Sequence, residues 1–330
     1  MQRLARALII ATLLIVPGRA NDKSDEAEKL YAVAQGNILH VAPAVPYKRE
    51  ASFELLKTDF GDLEGQIVEV WISPTQWRYE INFPSFDEIV IRNGDRSWRK
   101  RNLPYEPVPV LFSFLSLLDL PSAINVDAKK REVMKLYDHK VGARQFRCVK
   151  EGWGKYGEKD TCYESATGAL ASVESEYPFG STAKYEYSDF RSFNGKMVPW
   201  IAEYYQRSDK RLIVRTTSIL ELGPLDASSF APGDGFEPRP VCTHGKAPEY
   251  LTRASGSIAI GSAGGWGYSK GHFSVIAEVQ TDGTLKNVYL SQNLPIGADK
   301  IAGLISTFRY KPATCDNKPI PYEISFEFGN

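Results

Sequence analysis

The stretch Ala183–Arg207, AKYEYSDFRSFNGKMVPWIAEYYQR, sets charged and aromatic residues in near alternation, and that period constrains the chain more than any other feature. A period of two sends alternate side chains to opposite faces of a strand, so this stretch suits an antiparallel sheet with one wet face. The neighbouring runs carry the same signal. ASFELLKTDF, GQIVEVWISP, QWRYEINFP and DEIVIRNGDRSWRK precede it with short turns between them, and GARQFRCVKE, DTCYESATGALASVESEY and RLIVRTTSILEL flank it. Asn93-Gly94-Asp95, between two β-rich runs, is a hairpin signal. Ser24 and an acidic first turn start a short helix over Asp25–Gln35, with Gly36 as its stop.

One segment breaks the period. VPVLFSFLSLLDLPSA is apolar almost all round from Val110 to Leu120 and stops at Pro121. A helix of that character must be enclosed by protein, and it is too short to span a bilayer. Two readings stay open: it fills the space permanently as core, or it borders an apolar ligand cavity through Leu111, Phe112, Phe114, Leu115 and Leu118.

The amino terminus reads as an export signal. Arg3 and Arg6 precede an apolar run of 10 residues, Ala7–Val16, and Pro17-Gly18-Arg19-Ala20 follows. A membrane span needs about 20 apolar residues, so a leader cleaved near Ala20 is expected, with a soluble product in the periplasm. Basic and acidic residues balance at 40 each, and loss of the leader arginines leaves a chain near neutral. That balance gives no general pull toward nucleic acid or anionic lipid. The cluster Arg92, Arg96, Arg99, Lys100 and Arg101, with Trp98 and Tyr105, is either a grip for an acidic partner or a solvated hairpin edge whose charges block pairing; the second is preferred.

Cys148, Cys162, Cys242 and Cys315 include no C-x-x-C pair and no histidine at metal-ligand spacing, so disulfides fit an oxidising compartment. Of three pairings, position favours Cys148–Cys162 across a hairpin and Cys242–Cys315 closing a longer loop. Unstrained, these bridges contribute about 3 and about 4 kcal/mol. Chemistry is sparse elsewhere. Gly267-Tyr268-Ser269-Lys270-Gly271 fits a nucleophile elbow in spelling, but a strand rather than a helix follows it. Ser97-Trp98-Arg99-Lys100 lies in a hairpin arm, and His40, His139, His244 and His272 stand alone, with no zinc spacing. No cofactor, metal or catalytic group is expected, and the chain reads as a binding protein.

The segment 223–247, rich in Pro and Gly, reads as a linker between a sheet domain over 21–222 and a terminal domain over 248–330. In the latter, HFSVIAEVQTDGTLKNVYLS gives two strands joined at Asp282-Gly283. GADKIAGLISTFRY puts positions 301, 304, 305 and 308 on one helical face, and PYEISFEF closes as a strand.

Pro248-Glu249-Tyr250, VIAEVQTDGTLKNVYL, STFRYKPA, DNKPIP and YEISFEF together resemble the TonB carboxy-terminal domain family, over about a quarter of the chain. Phe308 stands where that family most often has tryptophan, and the loop ASGSIAIGSAGGWGYSK is longer than usual. The resemblance implies a β-β-α-β fold that docks an extended segment of an envelope transporter by adding it as a strand. The receiving edge would be Tyr322, Glu323, Ile324, Ser325, Phe326, Glu327 and Phe328, helped by Arg309 and Tyr310. Energy-transducing members keep an uncleaved membrane helix and a proline-rich spacer, which are not expected here. The first domain, with its amino-terminal helix, about ten strands, apolar helix and closing LDASSFAPGDG, resembles the LolA-like lipoprotein-carrier half-barrels. That likeness implies a curled antiparallel half-barrel with an enclosed helix, able to hold a lipid or acyl ligand. The expected fold class is therefore mainly β, with an α+β second domain.

If the leader reading is right, sequencing the amino terminus of the exported protein finds Asn21 or a residue within one or two of it. An intact Met1 would contradict it.

Overall fold

Two antiparallel meanders meet edge to edge to make one sheet. The computed structural model describes residues 22–58, 61–84, 86–104, 132–152, 157–177, 181–223, 227–242, 245–246, 248–252, 273–290, 302–303 and 305–328. Helix α1 (Asp22–Gly36) comes first. The first meander is β1 (Tyr47–Thr58), β2 (Gly61–Ser73), β3 (Gln76–Phe83), β4 (Phe86–Asn93) and β5 (Arg96–Arg101). The second is β6 (Glu132–Val141), β7 (Arg144–Gly152), β8 (Glu158–Glu164), β9 (Leu170–Tyr177), β10 (Ser181–Phe193), β11 (Lys196–Gln206) and β12 (Asp209–Glu221).

β1 pairs with β12, and a short β13 (Glu237–Arg239) adds to β5, giving 13 strands in the order β13-β5-β4-β3-β2-β1-β12-β11-β10-β9-β8-β7-β6. No pairing among the described residues joins β13 to β6, so the sheet is open. Register shifts at Glu50/Ala51, Cys162/Tyr163 and Tyr204/Tyr205 bend individual strands. Such bulges add to the natural twist, and the sheet curls.

Its concave face is mainly apolar. Tyr187, Ala202, Val214, Phe53 and Gly65 are successive cross-strand partners, each buried where a side chain exists. Gly65 is required by its neighbour. A Cβ there would lie 2.3 Å from Cζ of Phe53 and 2.4 Å from the Asn82 carbonyl oxygen. Phe53 in turn meets Phe83 edge to face at 6.1 Å, and Phe83 lies 5.4 Å from Phe86. Helix α1 lies on this face: Tyr31 packs edge-on against Tyr163 of β8 at 6.1 Å. Arg147 of β7 donates to Glu26 at 2.7 Å. At its other end Lys196 of β11 donates to the Ile38 carbonyl at 2.6 Å, and the Asn37 side chain accepts from the Met197 amide at 2.8 Å.

The terminal unit is three small sheets. β14 (Gly245–Lys246), β19 (Ala313–Cys315) and β20 (Lys318–Ile320) form one; β15 (Glu249–Thr252) and β18 (Arg309–Lys311) form a second. β16 (Phe273–Val279), β17 (Leu285–Leu290) and β21 (Tyr322–Phe328) form the third, in the order β17-β16-β21. Gly283, in the predicted Asp282-Gly283 turn, has φ 81°, and a Cβ there would sit 2.0 Å from the Tyr310 carbonyl oxygen. Ile305 and Phe308 are buried against Val275, Ala277 and Val279, as the helical face implied, while 301 and 304 lie outside the described residues.

Both disulfides form as the sequence indicated. Cys148 and Cys162 are direct cross-strand partners on β7 and β8, and Cys242 bonds Cys315. Other expectations need correcting. The helix runs through Gly36 rather than stopping at Gln35. β6, EVMKLYDHKV, had no alternating signal because it is a margin strand, mostly exposed, where charge is tolerated on either face. The linker is not featureless, since β13 within it pairs with the large sheet. The terminal unit also holds more strands than β-β-α-β, because FRYKPAT and DNKPI extend into short ribbons.

Gly65→Ala is expected to cost about 1–3 kcal/mol, since both close neighbours are an enclosed ring and backbone. A urea midpoint unchanged from the parent would show that Phe53 is free to move.

Candidate functional site

Charged groups interrupt the concave face: the buried register partners Glu151 and Lys159 lie under β7–β8, beside Val149 and Thr161, and one further group stands at each end. Under the end of α1, Arg49 of β1 pairs with Glu69 of β2 at 2.5 Å, and Glu69 also accepts from the Tyr47 hydroxyl at 2.9 Å. A crevice here is lined by Asn37, Leu39, Arg49, Ala202, Val214 and Thr216. It holds about a water molecule or two and no acyl chain. Lys196 beside it is held below the usual lysine range by burial.

The other group sits where β4, β5 and β13 form the sheet margin. Glu88 is the cross-strand partner of Ile81 on one side and Arg101 on the other, so it faces the core and is only 3% exposed. By the same register Arg99, Arg101 and Arg239 share its face. Arg99 Nε lies 3.7 Å from Glu88 Oε1, beyond hydrogen-bond distance. Arg101 Nη2 donates to Glu323 Oε2 of β21 at 2.7 Å, tying the terminal unit to the large sheet. Burial raises the Glu88 carboxyl above the ordinary glutamate range, against the pull of Arg99 and Arg101. Burial lowers Arg99, and Arg239 and Arg101 beside it lower it further.

These positions change the reading of the basic hairpin. Arg99 and Arg101 are not on a solvated edge: β13 covers β5, and both guanidinium groups are largely buried. Arg96 and Lys100 are exposed, Arg96 lying 5.8 Å over the Trp98 ring. Alternation on β5 sends Ser97 and Lys100 to opposite faces. Lys100 donates to the Asp234 carbonyl instead, so that serine–lysine pair is not assembled.

The terminal-strand residues are only partly brought together. β21 pairs with β16 from Tyr322↔Val279 to Phe328↔Phe273 and has no second strand beside it among the described residues. Ile324 and Tyr310 share the terminal core, and Glu323 points instead to Arg101. Arg309 is exposed and donates to the carbonyls of Ser306, Thr307 and Phe308, and its strand belongs to a different ribbon from β21. Ser325, Phe326 and Glu327 are placed by their backbone alone. Leu111, Phe112, Phe114, Leu115, Leu118, Ser269, His244 and His272 lie outside the described residues. Asp160 sits with Cys148 and Cys162 in a grouping of potential metal-ligand atoms, but both sulfurs are spent in the disulfide. Glu88 and Arg239 were missed by sequence reasoning. A lone glutamate opposite an arginine-rich strand was the available signal for the first, and nothing marked the second.

No family profile matches the chain, and no curated protein matches it. Solved structures do resemble it in shape. A LolA superfamily protein from Nitrosomonas europaea covers 62% of this chain and 97% of its own, at 11% identity and TM-score 0.40. A putative outer membrane lipoprotein-sorting protein domain from Vibrio parahaemolyticus covers 63% and 95%, at 11% identity and TM-score 0.39. A DUF1329 family protein from Desulfovibrio piger covers 64% and 96%, at 11% identity and TM-score 0.40.

The raised Glu88 carboxyl fixes a pH dependence. The folded state holds this proton more tightly than the unfolded state, so stability falls as pH rises from the ordinary value of 4.5 to the raised folded value. Glu88→Gln has no such proton to lose. Wild-type stability relative to that variant should therefore be greater at about pH 4 than at about pH 7 in urea titrations. An equal difference at the two pH values would contradict the assignment.

Proposed function

We propose that the protein is a non-enzymatic binding protein of the bacterial cell envelope that carries an apolar, lipid-like ligand against the concave face of its large sheet. The observation that supports this most is the face itself. A 13-stranded open sheet turns a mainly aromatic and aliphatic surface inward, with helix α1 along its β6–β11 half and a short 3-10 helix, Ala227–Phe230, against β3 and β4. A sheet left open at both margins can widen to admit a guest, whereas a closed barrel cannot without breaking strand pairs. The α1 crevice is too small for a chain, so loading requires side chains or the helix to give way. Lipoprotein sorting, the activity named for one of the similar structures, is the kind of carriage the reading has in view. Two disulfides fit a chain that matures outside the cytoplasm.

A second reading keeps one observation in its favour. Among the described residues β21 pairs on one side only, and an edge strand can accept a guest strand through its backbone. On this reading the terminal unit docks a segment of an envelope protein, transporter-type or other, with Tyr322–Phe328 as the receiving edge.

Native mass spectrometry of protein purified from the envelope without detergent tests both. The carrier reading expects an adduct of lipid mass that is lost on organic extraction. Persistent apo-protein, together with slowed amide exchange in Tyr322–Phe328 when envelope proteins are added, would favour the docking reading instead.

A further inference from the structure

Three guanidinium groups, Arg99, Arg101 and Arg239, converge on the core-facing side of the β4–β5–β13 margin, beside the aromatic pair Phe83 and Phe86. Three carboxylates, Glu323, Glu88 and Glu237, lie on the same side by register or contact, and one of them is bonded to an arginine of the group. Glu323 is bonded to Arg101, and Glu88 stands 3.7 Å from Arg99 without a hydrogen bond to its Nε. Glu237, the register partner of Arg99, is exposed and makes no ion pair among the described residues. Arg99 Nε is buried and has no acceptor among them, although Arg99 is 16% exposed on its side chain as a whole. Arg239 is half-buried and has no hydrogen-bonding partner among them either. Buried donors without acceptors are rare in native proteins, and one on Arg99 beside Arg239, half-exposed and unpartnered among the described residues, fits an anion shared by the two.

We infer that Arg99 and Arg239 form the receptor for the anionic head of the ligand, a carboxylate or phosphate, whose apolar part lies along the Phe86–Phe83–Phe53 row. This rests on the carrier reading for the apolar part only. The anion site stands on the arginine geometry, and a free phosphate presents the same chemistry as a lipid head. The repulsion of Arg99 by Arg239 and Arg101, which outweighs the attraction of Glu88 and Glu323, agrees with a site short of negative charge.

The test uses the delipidated full-length chain and three probes: a fluorescent C16 fatty acid, the fluorescent C16 alcohol of the same chain, and inorganic phosphate. Wild type should bind the acid about tenfold or more tightly than the alcohol, a preference that weakens with salt. Arg239→Gln should erase most of that preference while leaving alcohol binding unchanged. Arg99→Gln should do the same if it folds, and Arg239 carries the test if it does not, because Arg239 holds no ion pair among the described residues. Equal binding of acid and alcohol by wild type overturns the anion site and leaves the carrier reading standing. Binding of phosphate that depends on Arg239, with neither C16 probe bound, supports the anion site as one for a free anion and removes the carrier reading. An acid preference untouched by Arg239→Gln, or no binding of any probe, overturns the inference.

Discussion

Register is what the structure depends on. Because side chains alternate, a slip of one residue anywhere between β10 and β2 would trade Tyr187, Ala202, Val214 and Phe53 for their outward neighbours. Those neighbours are costly to bury: Glu186 opposes Glu203, and Glu54 opposes Glu64, on the convex face. Asp160 opposes Glu174 and Glu158 opposes Glu176 two strands further on. Directly opposed like charges destabilise a sheet. They are tolerated because that face is wet and because Lys150, Lys184 and Lys210 bridge to Glu158, Glu186 and Glu203. The arrangement makes the wrong register expensive as well as the right one favourable. Gly65 extends the same logic to backbone shape, since only a residue without a side chain lets Phe53 cross to the next strand.

The terminal unit is held to this sheet by three devices close together. β13 pairs with β5, Cys242 follows three positions after Arg239 and is bonded to Cys315 of β19, and Arg101 reaches Glu323 of β21. One covalent tie, one backbone pairing and one ion pair thus converge on the same margin. An otherwise open edge is covered by β13, which also protects β5 from pairing with foreign strands. The ion pair engages the side chain of Glu323 and, among the described residues, leaves the far backbone edge of β21 without a strand. Docking of a guest strand there and attachment to the large sheet are compatible, because they use different atoms of the same residues.

Much of this was legible in the residues. β-rich runs marked eleven of the thirteen strands of the large sheet, all but β6 and β13, the Asn93-Gly94 and Asp282-Gly283 turns were placed by chemistry that admits few alternatives, and cysteine spacing chose the right pairing. What escaped had physical causes. β6 carries charge on both faces because it is a margin strand, so no period is written into it. β13 is three residues long in a segment whose Pro and Gly content signals irregular chain, and its pairing with β5 is decided by tertiary contact alone. The charged cluster was visible only in half. Arg99 and Arg101 read as a solvated arm because a single strand does not reveal which side of it another strand will cover, nor that Glu88 and Glu323, 235 positions apart, would meet them.

The persistence of Glu88 and Arg99 on an apolar face asks for a reason. A buried ion pair is often no more stabilising than a well-packed apolar pair of similar size, because desolvation consumes the attraction. Here the geometry is worse than average, since the two groups stand too far apart for a hydrogen bond and Arg99 is crowded by like charge. A margin selected for stability alone would have replaced them with residues like Ile81 and Phe86 beside them. Arg49 and Glu69 at the other end of the face are in direct contact, 2.5 Å apart, and Tyr47 also donates to Glu69. That one charged pair is in direct contact and another is held 3.7 Å apart beside two further guanidinium groups, on the same face of the same sheet, is what supports assigning an anion to the second.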